Sequence, residues 1–206
     1  MKNKFISLEG IEGAGKSTAL SFIEDYLTRS GCDVVVTREP GGTEIAEKIR
    51  DVLLDHYDET MAYKTEALLM CASRAQHVIE KIKPALTSGK WVLSDRFADA
   101  SIAYQGGGRQ LGVEKVAILQ QWAIDEFNPD LTILLDLPVE TGMKRMKQRQ
   151  ALDRIESETV DFFQRIRDAY LELSKRYPER YRVVDASEDI EGVQVQLKTI
   201  LDEVVS

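Results

Sequence analysis

The chain has 206 residues, 43% of them hydrophobic and 30% charged, and is long enough to bury about 70% of its unfolded surface without disulfide or metal staples. Its 27 basic and 35 acidic residues give a net charge of −8, which argues against a general nucleic-acid coat but leaves room for a local basic pocket. Two cysteines with no C-x-x-C or Cys/His cluster indicate no zinc site, and the absence of a signal sequence or an apolar run of membrane length leads us to expect a cytoplasmic protein with no membrane partner.

The first predicted element is the strand Phe5-Ile6-Ser7-Leu8. It leads into Gly10-Ile11-Glu12-Gly13-Ala14-Gly15-Lys16-Ser17, with Thr18 next, and then into a helix whose Leu20, Ile23 and Leu27 share one face. A G-x-x-x-x-G-K-S run between a strand and a helix is a phosphate-binding P-loop. Its glycines let backbone N–H groups point inward, and the helix dipole faces the same anion. Lys16 can reach β- and γ-phosphates, and the Ser17 hydroxyl can ligate Mg²⁺.

Asp33-Val34-Val35-Val36-Thr37 reads as a second strand, closed by Arg38-Glu39-Pro40-Gly41-Gly42. Thr43 can cap the helix that carries Ile45, Ile49, Val52 and Leu53. A long helix is predicted over 63–86, with Leu68, Leu69, Ala72, Ala75, Ile79 and Ile82 inward and Pro84 bending its end. Trp91-Val92-Leu93-Ser94 is a third strand that delivers Asp95-Arg96. A helix to Gln105 precedes a mobile loop, Gly106-Gly107-Gly108-Arg109, and a further helix covers 113–127. Leu131-Thr132-Ile133-Leu134-Leu135 is a fully apolar strand ending at Asp136. A basic helix over 139–148, a polar loop over 149–158, a helix over 159–177, a short strand at 182–184 and a last helix over 189–205 complete the chain.

Strands alternating with helices predict an α/β fold, a five-stranded parallel sheet covered by helices on both faces, as one P-loop domain over 1–206. Ligands of such sheets bind beyond the carboxyl ends of the strands, here at the P-loop, Arg38-Glu39, Asp95-Arg96 and Asp136. Asp95 is the favoured Mg²⁺ carboxylate because Arg96 follows it, and Asp136 competes for the role. Arg96 reads either as a phosphate ligand or as a surface ion pair. Arg38 reads either as a phosphate clamp or as a salt bridge to Glu39. Arg145, Lys147, Arg149 and Arg154 form a basic stretch over 145–158, either a solvated face or a lid closing on a triphosphate. His77 lies near Arg74 without metal-ligand spacing and reads as structural.

Six motifs in order give the chain a resemblance to the bacterial thymidylate kinases, a family of P-loop nucleoside monophosphate kinases. They are Phe5-Ile6-Ser7-Leu8-Glu9-Gly10 with the P-loop, Thr37-Arg38-Glu39-Pro40-Gly41-Gly42-Thr43, Ala72-Ser73-Arg74-Ala75-Gln76, Ser94-Asp95-Arg96-Phe97, Ala103-Tyr104-Gln105-Gly106 and Leu152-Asp153-Arg154-Ile155-Glu156. The resemblance implies transfer of a phosphoryl group from ATP to dTMP with Mg²⁺, in a homodimer. It implies that Lys16 and Ser17 serve ATP and the metal, that Asp95 helps place Mg²⁺, and that Arg38 and Arg96 hold the dTMP phosphate. Glu12 would meet the 3′-hydroxyl. Arg74, helped by Ser101 and Gln105, would read the thymine edge, and Tyr104 would crowd the sugar 2′ position. Ala14 in place of a P-loop arginine resembles the subtype that supplies catalytic arginines from the lid, here Arg149 and Arg154. Two positions depart from the family pattern. Met70 stands where a phenylalanine usually stacks on thymine, and Gln150 where the lid usually has glycine.

A kinase for another nucleoside monophosphate is the nearest alternative, opened by Met70. A GTPase switch is the alternative from another class, but no Asn/Thr-Lys-x-Asp motif follows a strand. An inactive regulatory relative sits poorly with the intact Lys16, Ser17, Asp95 and Arg96.

Overall fold

The computed structural model describes residues 3–146 and 153–205. Its strands are β1 (Phe5–Glu9), β2 (Val34–Arg38), β3 (Trp91–Asp95), β4 (Leu131–Asp136) and β5 (Tyr181–Asp185). They form one parallel sheet in the order β2-β3-β1-β4-β5. The helices are α1 (Lys16–Arg29), α2 (Glu44–Leu54), α3 (Tyr63–His77), α4 (Lys83–Thr87), α5 (Ala98–Ser101), α6 (Val113–Ile124), α7 (Val139–Met146), α8 (Val160–Arg176) and α9 (Ile190–Val205).

β1 lies at the centre of the sheet, and every one of its residues is buried. Alternation along the strand divides its contacts between the two faces. Ile6 and Leu8 join the main core with Ala19, Ile23 and Leu27 of α1. Phe5 packs edge-on to Phe97, with ring centres 4.8 Å apart, and stacks on Phe127 at 5.5 Å. On the same side as Phe5, Glu9 accepts from Phe97 N at 2.7 Å and from the Tyr170 hydroxyl of α8 at 2.8 Å. With β1 fixed on both faces, the turn that follows it, and hence the P-loop, has a rigid base.

Thr43 caps α2, its Oγ1 accepting from Ala46 N, and Thr159 caps α8 by accepting from Phe162 N. The helix predicted over 63–86 is continuous but not uniform. A π-helical segment, Val78–Ile82, separates α3 from α4, just ahead of Pro84, where a regular ladder must lose a donor.

Two expectations are corrected. Leu68, Ala72 and Ile79 are exposed, and the buried face of α3 carries Glu66, Met70, Ser73, Arg74 and His77 instead. Ala67 and Cys71 are buried there as well, and the four polar side chains are buried because each has a hydrogen-bond partner on another segment. The glycine run at 106–108 is also no mobile loop. It ends a π-helical segment, Ile102–Gly108, that continues α5 and packs on α8. A Cβ on Gly107 would lie 2.8 Å from Ala169 Cβ, and one on Gly108 2.7 Å from Phe162 Cε2, so the glycines serve close approach. Arg109 is buried too, its guanidinium between the rings of Tyr63 and Phe162, 4.8 and 4.6 Å from their centres.

Candidate active site

The carboxyl ends of β1, β2 and β3 open into a cleft of about 210 Å³. Glu12, Gly13, Gly15, Lys16 and Ser17 line it from the P-loop, Arg38 from β2, Asp95 from the end of β3 and Arg96 from just beyond it. Met70 and Arg74 come from α3, Ser101 from α5, and Tyr104 and Gln105 from the π-helical segment after it. The sequence-predicted residues of the P-loop, phosphate and base positions thus meet in one cavity. Ile11 and Ala14 are buried behind it, while Gly10 contributes its carbonyl.

Gly13 (φ 77°) is pressed against α7: a Cβ there would run into the backbone of Gly142. Lys16 opens α1 and is half-buried. Burial pushes its ammonium down from the ordinary lysine range and Arg96 adds to this, while Asp95 and Glu12 oppose it. An added anion in the cleft would relieve that penalty.

Arg96 has a left-handed backbone, φ 72°, uncommon for a residue with a side chain. That turn sends its guanidinium back to Gly10 O at 2.9 Å and Glu12 Oε1 at 2.7 Å. Tyr104 donates to Glu12 Oε2 at 2.6 Å, and its ring lies under Arg96, 4.7 Å away. Glu12, Arg96 and Tyr104 therefore form one unit.

Asp95 Oδ1 is buried and has no hydrogen-bond partner among the described residues. Asp136, the competing carboxylate, is held bidentately by Arg167 at 2.7 and 2.9 Å, which removes it from contention. An orphaned carboxylate oxygen on a residue that lines the same cleft as the P-loop serine fits a hard divalent cation that keeps most of its ligands as water and phosphate. Among the described residues, no group of three or more His, Cys, Asp or Glu offers a protein-only cage.

Arg38 pairs with Glu47 at 3.0 Å, not with Glu39. Glu39 instead lies buried between Arg74 Nε at 2.6 Å and His77 Nδ1 at 2.9 Å. His77 Nε2 meets Thr37 Oγ1 at 2.7 Å, so the histidine is a structural link, as expected. Arg74 is further held by Phe97 O and Ser101 Oγ, both at 2.9 Å, and by Gln120 Oε1.

Arg154 does not enter the cleft. Its guanidinium pairs with Glu66 at 2.7 Å and donates twice to Leu53 O. Its neighbours Asp153, Ile155 and Glu156 line the cleft in its place. Arg149, Lys147 and Gln150 lie outside the described residues.

Under the P-loop, burial pushes the Glu9 carboxyl up to about 8, and Asp99 adds to the shift. A carboxyl held above its ordinary value of 4.5 contributes stability that is full below 4.5 and lost as pH rises through about 8. The thermal midpoint should therefore fall by several degrees between pH 5 and pH 8. Glu9→Gln should flatten that slope in a calorimetric scan series. An equal fall in the variant would assign the slope to other groups.

The family model for thymidylate kinase matches residues 8–197. The chain belongs to the thymidylate kinase family. It is 53% identical over 200 residues to a thymidylate kinase of Vesicomyosocius okutanii, covering 97% of this chain and 98% of that one. A thymidylate kinase of Alcanivorax borkumensis is 53% identical over 203 residues, covering 98% of each chain. One from Alkalilimnicola ehrlichii is 50% identical over 206 residues, covering 100% of this chain and 95% of that one.

Within this thymidylate kinase scaffold, some residues emerge only in three dimensions. Arg50 lines the cleft from α2, its guanidinium donating to Pro40 O at 2.8 Å. A second cavity of about 380 Å³ lies on the other side of the P-loop, between Arg145 of α7 and the start of α9. Arg145 reaches Gly13 O at 3.4 Å and Ala186 O at 3.3 Å there. Its position on a basic helix was the only signal in the sequence.

Proposed function

We propose that this chain transfers the γ-phosphoryl group of ATP to the 5′-phosphate of dTMP, giving ADP and dTDP for dTTP synthesis. Family membership gives the chemistry. The observation that carries the substrate assignment is that the P-loop end and the Arg74–Gln105 end share one cleft.

Lys16 and the backbone from Gly10 to Thr18 cradle the donor phosphates. Ser17 and Asp95, whose Oδ1 has no partner among the described residues, would hold Mg²⁺, which would neutralise charge on the phosphates. Arg38 and Arg96 clamp the acceptor phosphate, with Arg50 as a third cation at the same end. Glu12, oriented by Arg96 and Tyr104, meets the 3′-hydroxyl, and the Tyr104 ring closes against a 2′ substituent. Arg74 donates to the base edge, Gln105 and Ser101 complete that edge, and Met70 covers a ring face with a polarizable thioether. The cavity beside Arg145 takes the ATP base. Because Glu66 and Leu53 O occupy Arg154, it anchors the lid, and the phosphoryl-facing lid role passes to Arg149 by its place in the family motif.

The chain acts as a cytoplasmic homodimer in this reading. Exposed Leu68 on α3 and Ile118 and Trp122 on α6, two helices in contact, supply an apolar face for a second copy. Cys32 and Cys71 form no disulfide among the described residues, in keeping with a reducing compartment, and no helix of the described residues is long and apolar enough to cross a membrane.

ADP formation from Mg·ATP, measured with dTMP, dUMP, dCMP, dGMP and ribo-TMP as acceptors, tests the assignment. dTMP should give the highest kcat/KM, and the ribose form should fail. A different preferred acceptor would withdraw the base and sugar roles of Arg74, Ser101, Tyr104 and Gln105.

A further inference from the structure

Among the described residues four non-glycines have positive φ, Arg96, Gln110, Asp125 and Glu126, and of these only Arg96 lines the cleft. A left-handed turn under a long side chain persists only where its surroundings hold it. Two peptide planes set φ and ψ at Arg96, and each has its own restraints. The plane before it is tied by main chain: Glu39 N donates to Asp95 O at 2.9 Å, and Arg96 N to Leu8 O at 3.0 Å. The plane after it is tied by two side chains. Ser94 Oγ donates to Arg96 O at 2.7 Å, and Phe97 N donates to Glu9 Oε1 at 2.7 Å.

Glu9 and Ser94 are both fully buried, and neither lines the cleft. The second carboxyl oxygen of Glu9 accepts from the Tyr170 hydroxyl at 2.8 Å, and that hydroxyl lies 3.4 Å from Arg96 Nη1. One buried carboxyl thus reaches the turn after Arg96 directly and the guanidinium through one tyrosine. The main-chain restraints are those that any parallel strand supplies. The side-chain restraints belong to this sequence. Without them the second plane can rotate toward a relaxed backbone and move the guanidinium from its place.

We propose that Glu9 and Ser94 are positioning residues for the acceptor phosphate: they lock the peptide that follows Arg96, keep its left-handed turn, and so hold the guanidinium ready for a phosphate monoester before that ligand arrives. The inference rests on the reading of Arg96 as a clamp for the acceptor phosphate. A guanidinium already in place binds its anion without reorganising, so the gain falls on affinity for dTMP rather than for ATP.

The test is KM for dTMP and KM for ATP, measured in one ADP assay on the wild type, Glu9→Gln and Glu9→Met. Glu9→Met removes the acceptor that Phe97 N uses and should raise KM for dTMP by roughly 10- to 100-fold, with KM for ATP within about 3-fold of wild type. Glu9→Gln keeps an oxygen for Phe97 N and should stay close to wild type on both. An equal rise in both constants would make Glu9 a mere support of the P-loop, and unchanged constants in Glu9→Met would leave the turn independent of it; either result overturns the proposal. So does a loss in Glu9→Gln as large as in Glu9→Met. If Glu9→Met does not fold, Ser94→Ala decides: it removes one hydrogen bond to the same peptide and should raise KM for dTMP alone by roughly 3- to 10-fold, and no rise would overturn the proposal. In an Arg96→Met background, Glu9→Met should add nothing to KM for dTMP, whereas independent effects would refute the link. An Arg96→Met variant whose KM for dTMP matches wild type would instead sink the reading of Arg96 as the clamp.

Discussion

Lys16→Met should lower kcat by roughly 10³-fold or more while leaving the thermal midpoint unchanged or slightly raised. The transferring group carries its charge on oxygens, and stabilising that charge is almost all that such a protein contributes to the step. A single preorganised donor removed from a water-poor site typically costs about 10²–10³ in rate, and Lys16 adds a full charge to that geometry. In the folded protein the same ammonium is disfavoured by burial and by Arg96. Methionine has nearly the same length and no charge to desolvate, so the fold loses little. A coupled ADP assay and a melting curve on the same preparation separate the two effects. A loss of less than 10-fold would remove Lys16 from the phosphoryl-transfer machinery.

Arg74→Met should damage both stability and activity, and a second change should separate them. Arg74 and Glu39 are almost wholly buried and paired at 2.6 Å. Removing the cation leaves Glu39 facing only His77, and breaking a buried pair this way costs about 3–5 kcal/mol. For a chain of this size the midpoint should fall by roughly 10 °C. Adding Glu39→Gln removes the uncompensated charge and should restore most of the midpoint. It should restore no activity, because the group proposed above to donate to the base is gone, and kcat/KM for dTMP should remain roughly 10²-fold or more below wild type. Recovery of activity along with stability would mean that Arg74 acts only as a strut.

The sheet, the P-loop and the placement of Asp95 and Arg96 were legible because they depend on local pattern. A short apolar strand before G-x-x-x-x-G-K-S, and an apolar strand ending in Asp-Arg, can hardly fold otherwise. The buried face of α3 was not legible, because its periodicity belongs to Glu66, Ser73, Arg74 and His77, which are interior only by virtue of partners on distant segments. The π-helical segment Ile102–Gly108 was hidden behind three glycines, whose usual message is a turn. Arg154 was read toward the cleft because the lid motif surrounds it, but a buried anion on α3 competes for it more effectively. Met70 sits in the base end of the cleft, where the resemblance put it.

The central position of β1 bears on how the chain matures as it leaves the ribosome. Phe5 is paired with Val92, and Ile6 with Leu131, so neither neighbour of the first strand exists until long after that strand has emerged. The nucleotide cradle is written first and assembled late. Until β3 and β4 arrive, a strand carrying Phe5, Ile6 and Leu8 waits with both edges open, which is the condition under which nascent chains pair with the wrong partner. Slow translation between residues 97 and 131 should prolong that interval, and a holding chaperone should matter most there. Contacts of such long span also predict slow refolding relative to helical proteins of equal length, with nucleotide binding returning only in the final phase.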